Sequence, residues 1–174
     1  MILPILKISD RILSDLKEHL GNTFLSRVEI LPPIPTLQED IYNREREQYD
    51  ADKLVSYLNE MTKDLKADKI IAVANFDIFM GDMNFIFGVA QKGGRLCMIS
   101  LYRLDERFYG KESNYERVKE RAVKEAAHEL GHCYGLEHCR RRECVMSFSD
   151  NIMLVDAKRP FFCENCREEL RKLL

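Results

Sequence analysis

The sequence predicts an α/β (α+β) chain: a mixed sheet of about five strands with helices packed on it, then a small irregular C-terminal segment. Three observations predict this. The first half of the 174 residues alternates strand-like and helix-like patterns. A Lys92-Gly93-Gly94 turn joins two apolar runs, which adds an antiparallel pair. Five of the six cysteines (Cys133, Cys139, Cys144, Cys163, Cys166) crowd into the last quarter, where regular periodicity fades. The length suits one domain over 1–174.

The elements follow in order. ILPILKI is a first strand. In DRILSDLKEHLG, residues Ile12, Leu13, Leu16 and Leu20 share one helical face, and Gly21 is the expected stop. SRVEILPPIP is a short strand that Pro32, Pro33 and Pro35 must end, because proline cannot donate to a ladder. TLQEDIYNREREQYD is polar and long for a connection, which favours a functional or mobile loop. ADKLVSYLNEMTKDL is a second helix with Leu54, Leu58, Met61 and Leu65 in a stripe. DKIIAVANF is a continuous apolar run suited to a buried strand, and NFIFGVAQ and RLCMISLYRL form the hairpin. A third helix opens with Ser113 and Glu116 in a capping box and carries Val118, Ala122, Ala126 and Leu130 on its core face. It should end at Gly135. CREELRKLL is a last short helix.

Composition excludes several classes. The formal net charge is -2, without the basic excess of a protein built around nucleic acid. No apolar run approaches the ~20 residues that span a bilayer. MILPILKIS has no basic n-region and is broken by Pro4 and Lys7, so it reads as a strand and the chain as cytoplasmic. A reducing compartment disfavours disulfides and turns clustered cysteines toward metal.

The third helix carries His128, Glu129 and His132, the start of the stretch HELGHCYGLEHC. Residues advance roughly 100° each on a helix, so His128 and His132 lie one turn apart on one face. Two such imidazoles can hold one ion, and Glu129 beside the first can act as general base on a water there. The match extends to Gly135 and His138: the helix must stop for a third histidine to turn back, and glycine tolerates the left-handed stop. Three protein ligands leave a fourth position open, the arrangement of a catalytic zinc. Cys133 points about 100° away from His132 and reads as a small buried residue, as does Cys97.

Two cysteine pairs remain, Cys139 with Cys144 and Cys163 with Cys166. Short-spaced pairs separated by a loop indicate a closed, structural four-thiolate zinc. His138 and Cys139 are adjacent, and neighbours in an extended segment point to opposite sides. One can face each ion, which gives two zinc ions per chain, with the second anchoring the third histidine of the first. Arg140, Arg141 and Arg142 read as a solvated loop.

The helix motif through His138, followed by Met146 in CVM, resembles the metzincin clan of zinc peptidases. The order H-C-x-x-x-x-C-x-M and then C-x-x-C is similar to one branch, the archaemetzincins, with weaker likeness through YNREREQY and MNFIFGVA. The resemblance implies an upper part (1–135) of sheet and helices, a lower part (136–174) and a cleft between them at the zinc. It makes Met146 an apolar floor under the histidines and NFIFGVAQ a cleft-edge strand for extended peptides. One departure is Phe148, where some metzincins carry a zinc-ligating tyrosine. The oxyanion must then be stabilised by zinc and backbone.

The expected function is zinc-dependent hydrolysis of peptide bonds, by resemblance aminopeptidase-like on short peptides, by a chain favoured as a monomer. The alternative is a zinc-stabilised binding or regulatory module with little or no proteolytic activity.

Overall fold

The computed structural model describes residues 1–174. Its main sheet has the order β1 (Ile2–Pro4), β4 (Ile70–Ala74), β7 (Leu96–Ser100), β6 (Gly88–Ala90). The first three run parallel, and β6 pairs antiparallel to β7 as the hairpin signal requires. A second sheet joins β2 (Tyr42–Asn43), β3 (Gln48–Asp50) and β5 (Ile78–Phe79). The helices are α1 (Asp10–Phe24), α2 (Ala51–Thr62), α3 (Tyr115–Cys133), α4 (Ile152–Ala157) and α5 (Glu164–Leu173). None is long and apolar enough to cross a membrane.

The apolar runs of β4 and β7 are buried on both faces. Ile71, Val73, Cys97 and Ile99 face the larger core under α1 and α3, whereas Ile70, Ala72, Leu96 and Met98 face a smaller core under α2. That alternation is the period of a strand covered on both sides. After residue 135 the chain contributes Leu136, Val145, Met146, Val155 and Leu170 to the larger core.

Several local expectations change. SRVEILPPIP makes only two isolated parallel bridges, Ile2 with Ile30 and Ile5 with Ile34, because Pro32 and Pro33 between them offer no N–H. The four-stranded sheet is what remains of the five strands expected. Helix α1 runs past Gly21 to Phe24, whose ring stacks on Tyr134 and meets Phe162 edge-on, and Leu25 (φ 49) makes the left-handed stop instead. In α2 the stripe holds at Leu54 and Leu58, but Met61 is exposed and Thr62 is buried in its place, its hydroxyl donating to the Leu58 carbonyl at 2.7 Å. The cap of α3 is Asn114, which accepts from the Arg117 N–H. Ser113 is turned away to donate to Asp105. The long polar segment is a short helical turn and the β2–β3 hairpin.

Candidate active site and metal centres

Helix α3 lies beneath the β6 edge of the sheet and carries His128, Glu129 and His132, with Gly135 (φ 104) beyond its end. The left-handed turn at Gly135 carries the chain back, so that His138 meets the other two histidines. The Nε2 atoms of His128 and His132 lie 3.1 Å apart, and those of His132 and His138 lie 3.2 Å apart. The second ring nitrogen of two of them is already engaged. His128 Nδ1 donates to the Val145 carbonyl at 2.9 Å, and His132 Nδ1 donates to the Leu136 carbonyl at 2.8 Å.

This arrangement answers whether a cation fits. With Nδ1 protonated, each Nε2 presents a lone pair, and converging lone pairs this close repel unless a cation sits among them. Burial lowers the pKa of all three histidines, most for His128, where Lys158 and His132 add repulsion. The rings are therefore neutral near pH 7, the form that ligates metal.

Glu129 is buried, and desolvation first, then the neighbouring Glu125 carboxylate, pushes its pKa well above the usual range. A cation at the histidines opposes that push. Glu125 itself accepts from Lys158 at 3.1 Å in an ion pair shielded from solvent on both sides. These groups border a cleft of about 480 Å³ walled by residues 82–88 on one side and Phe148, Ser149 and Asp150 on the other. Met146 is fully buried against α3. Phe148 packs its ring edge-on to His138, with centroids 5.2 Å apart.

The four cysteines Cys139, Cys144, Cys163 and Cys166 form a second group, and within each group the donor atoms all lie within 4.8 Å of one another. None is in a disulfide. The Cys163 N–H donates to Cys144 Sγ at 3.3 Å, and the Arg141 N–H donates to Cys139 Sγ at 3.4 Å. Burial raises the Cys144 and Cys166 thiols. At Cys163 it is outweighed by the Cys166 N–H and neighbouring thiols, which bring the pKa down to about 7. Backbone donors aimed at sulfur favour thiolate, the state a metal binds. Cys97 and Cys133 are buried outside both groups, and Arg140, Arg141 and Arg142 are exposed, all as anticipated.

Sequence reasoning missed Gly88 and Gly131. A Cβ on Gly131 would meet Met146 Sδ at 2.4 Å, and one on Gly88 would meet Glu129 Cγ and Oε1 at 2.8 Å. A glycine inside a helix costs about 1 kcal/mol against alanine, and at Gly131 that cost was the readable signal. Gly88 gave none.

The model of Peptidase family M54 matches residues 4–172. The archaemetzincin of Pyrococcus furiosus is 36% identical over 178 residues, covering 100% of this chain and 93% of that protein. The crystal structure of archaemetzincin from Methanopyrus kandleri superposes with a TM-score of 0.82 at 33% identity, covering 99% of this chain and 94% of that one. A zinc-dependent peptidase from Methanocorpusculum labreanum gives 0.84 at 28% identity, with 98% and 100% covered. Fold and site together define a zinc metallopeptidase. The chain belongs to peptidase family M54, the archaemetzincins.

Proposed function

We propose that the chain hydrolyses short peptides in an aminopeptidase-like manner. It does so as a monomer, with one zinc held by His128, His132 and His138 and a structural zinc held by Cys139, Cys144, Cys163 and Cys166. The observation that carries this reading is the convergence of three neutral imidazole nitrogens beside a buried carboxylate, at the wall of a cleft. One chain supplies every donor.

A zinc ion held by His128, His132 and His138 would supply Lewis acidity toward a peptide carbonyl and a water. Glu129 takes the proton of the attacking water and delivers it to the leaving amine. Val145 and Leu136 hold two imidazoles in the ligating tautomer through their carbonyls, and Phe148 braces the third. Phe148 brings no hydroxyl to the oxyanion, so backbone donors supplement the cation. Cys139, Cys144, Cys163 and Cys166 would hold the second zinc with four protein thiolates, a closed structural set.

The test is hydrolysis of a peptide library by zinc-loaded protein against Glu129→Ala. Loss of turnover by about a hundredfold or more is expected for removal of a general base. Equal cleavage by both proteins sinks the assignment of Glu129.

A further inference from the structure

Arg46 stands apart from the histidines, on the turn between β2 and β3, yet its guanidinium ties down a wall of their cleft. Nη2 donates to the carbonyls of Met83 at 2.7 Å and Asn84 at 3.2 Å. Nε donates to Gln48 Oε1 at 3.0 Å, and the guanidinium carbon sits over Phe79, 4.1 Å from the ring centroid. Gln48 is buried, and its amide nitrogen donates to the same Asn84 carbonyl at 2.8 Å and to Asp77 at 3.0 Å. Arg103 grips Asp77 with two bonds of 2.6 Å, and its guanidinium stacks on Phe85, a residue of the cleft wall. Residues 81–84 are exposed, so the segment is held from outside by Arg46 and from inside by the Gln48–Asp77–Arg103 chain.

Stability alone does not call for this clamp. Carbonyls on an exposed loop can be satisfied by water. A planar guanidinium bonded to two consecutive carbonyls and stacked on a ring instead fixes where they sit. The segment so fixed leads through Phe85 and Phe87 into β6, whose outer edge has no partner strand. An unpaired edge is a template for an extended chain, and such a chain advances only about 3.3 Å per residue. A peptide must therefore be several residues long to run from the histidines along this rim.

We propose that Arg46 is a positioning residue for peptide binding: by holding the Met83 and Asn84 carbonyls it sets the cleft rim against which longer substrates lie. The proposal rests on the peptidase reading above and extends it to the polar hairpin that the catalytic chemistry leaves unused. Arg46 touches neither the reacting bond nor the histidines, so its effect falls on binding and grows with substrate length.

The experiment is equilibrium binding of fluorescent peptides, from dipeptide to octapeptide, to zinc-loaded Glu129→Gln protein. Adding Arg46→Ala should raise Kd about tenfold for the longest peptides, the value of one charge-assisted hydrogen bond, and progressively less as they shorten. Arg46→Lys should recover only part, since an ammonium lacks the planar fork. The exposed neighbour variant Arg44→Ala should have no effect. A loss independent of length, no loss, or no binding at any length overturns the proposal. If Arg46→Ala does not fold, Arg46→Lys and Gln48→Leu carry the same length dependence, and its absence in both overturns it equally. Failure of the peptidase reading shows separately, as no turnover of any peptide by the zinc-loaded wild type.

Discussion

A Cβ placed at Gly88 would sit 2.8 Å from the Glu129 side chain and 2.8 Å from the Met98 carbonyl, so residue 88 sets how closely edge strand and helix approach. Gly88 lies outside the left-handed region, which leaves the side chain itself as the obstacle to substitution. Gly88→Ala should therefore displace Glu129 and strain the β6–β7 pairing, as overpacking by a methyl typically costs ~1–3 kcal/mol. The expected outcome is a fall in kcat on the order of tenfold or more with zinc content intact, since small misplacements of a catalytic group are expensive. An unchanged kcat in steady-state assays shows that Glu129 tolerates the shift. At this scale the proposed ligand set was legible, because His128, His132, Gly135 and His138 are tied by the fixed geometry of one helix and its stop. Gly88 was not, because its reason lies in a side chain 41 positions away in the sequence.

Helix α3 carries more charge inward than its apolar stripe suggests, and Arg121, Lys124 and Glu125 each have a named partner. Arg121 reaches Asp156 on α4 with two bonds of 2.7 Å and also donates to the Leu104 carbonyl. Lys124 pairs with Glu120, and Glu125 pairs with Lys158. Periodicity alone found the apolar face Val118, Ala122, Ala126 and Leu130, but it could not supply partners that lie on α4 and beyond. The same limit misplaced the ends: Asn114 caps α3 because Ser113 is drawn to Asp105, and Phe24 extends α1 because its ring has aromatic neighbours. At Asp156, burial tends to raise the carboxyl pKa, but the hydrogen bonds and charge of Arg121 outweigh it and hold the value below the ordinary range. The sign of the linkage follows. A carboxyl with a depressed folded-state pKa stabilises the fold above its unfolded value of about 3.9, and the contribution is lost as pH falls through the folded value. The difference in Tm between wild type and Asp156→Asn should thus be constant near pH 6 and close below about pH 4. A difference that persists at pH 2 means the Asp156 charge is not its source.

Two links join the proposed metal centres, one covalent and one completed by a hydrogen bond, one more than the sequence suggested. His138 adjoins Cys139, the link read from the motif. Cys144 adjoins Val145, whose carbonyl orients His128, and the Cys139 N–H donates to the Met146 carbonyl at 2.9 Å, closing the strap between them. The four-cysteine group thus bears on two of the three histidines, one through its backbone neighbour and one through the carbonyl that sets its tautomer. The segment after residue 135 also buries Leu136, Val145 and Leu170 in the main core, so a structural zinc would share the task of holding it rather than perform it alone. Structural zinc contributes on the order of 10–16 kcal/mol of apparent binding energy, enough for its loss to loosen a strap held otherwise by a few apolar side chains. Replacing Cys163 and Cys166 by serine should remove one zinc per chain and weaken the remaining one, so that a chelator strips it at roughly tenfold lower concentration or less. Metal analysis under chelator titration, with Cys97→Ser as the control outside both groups, reads both effects. If the variant loses one ion while the histidines keep the other at wild-type affinity, Val145 and His138 are placed by the core alone and the two centres are neighbours without coupling.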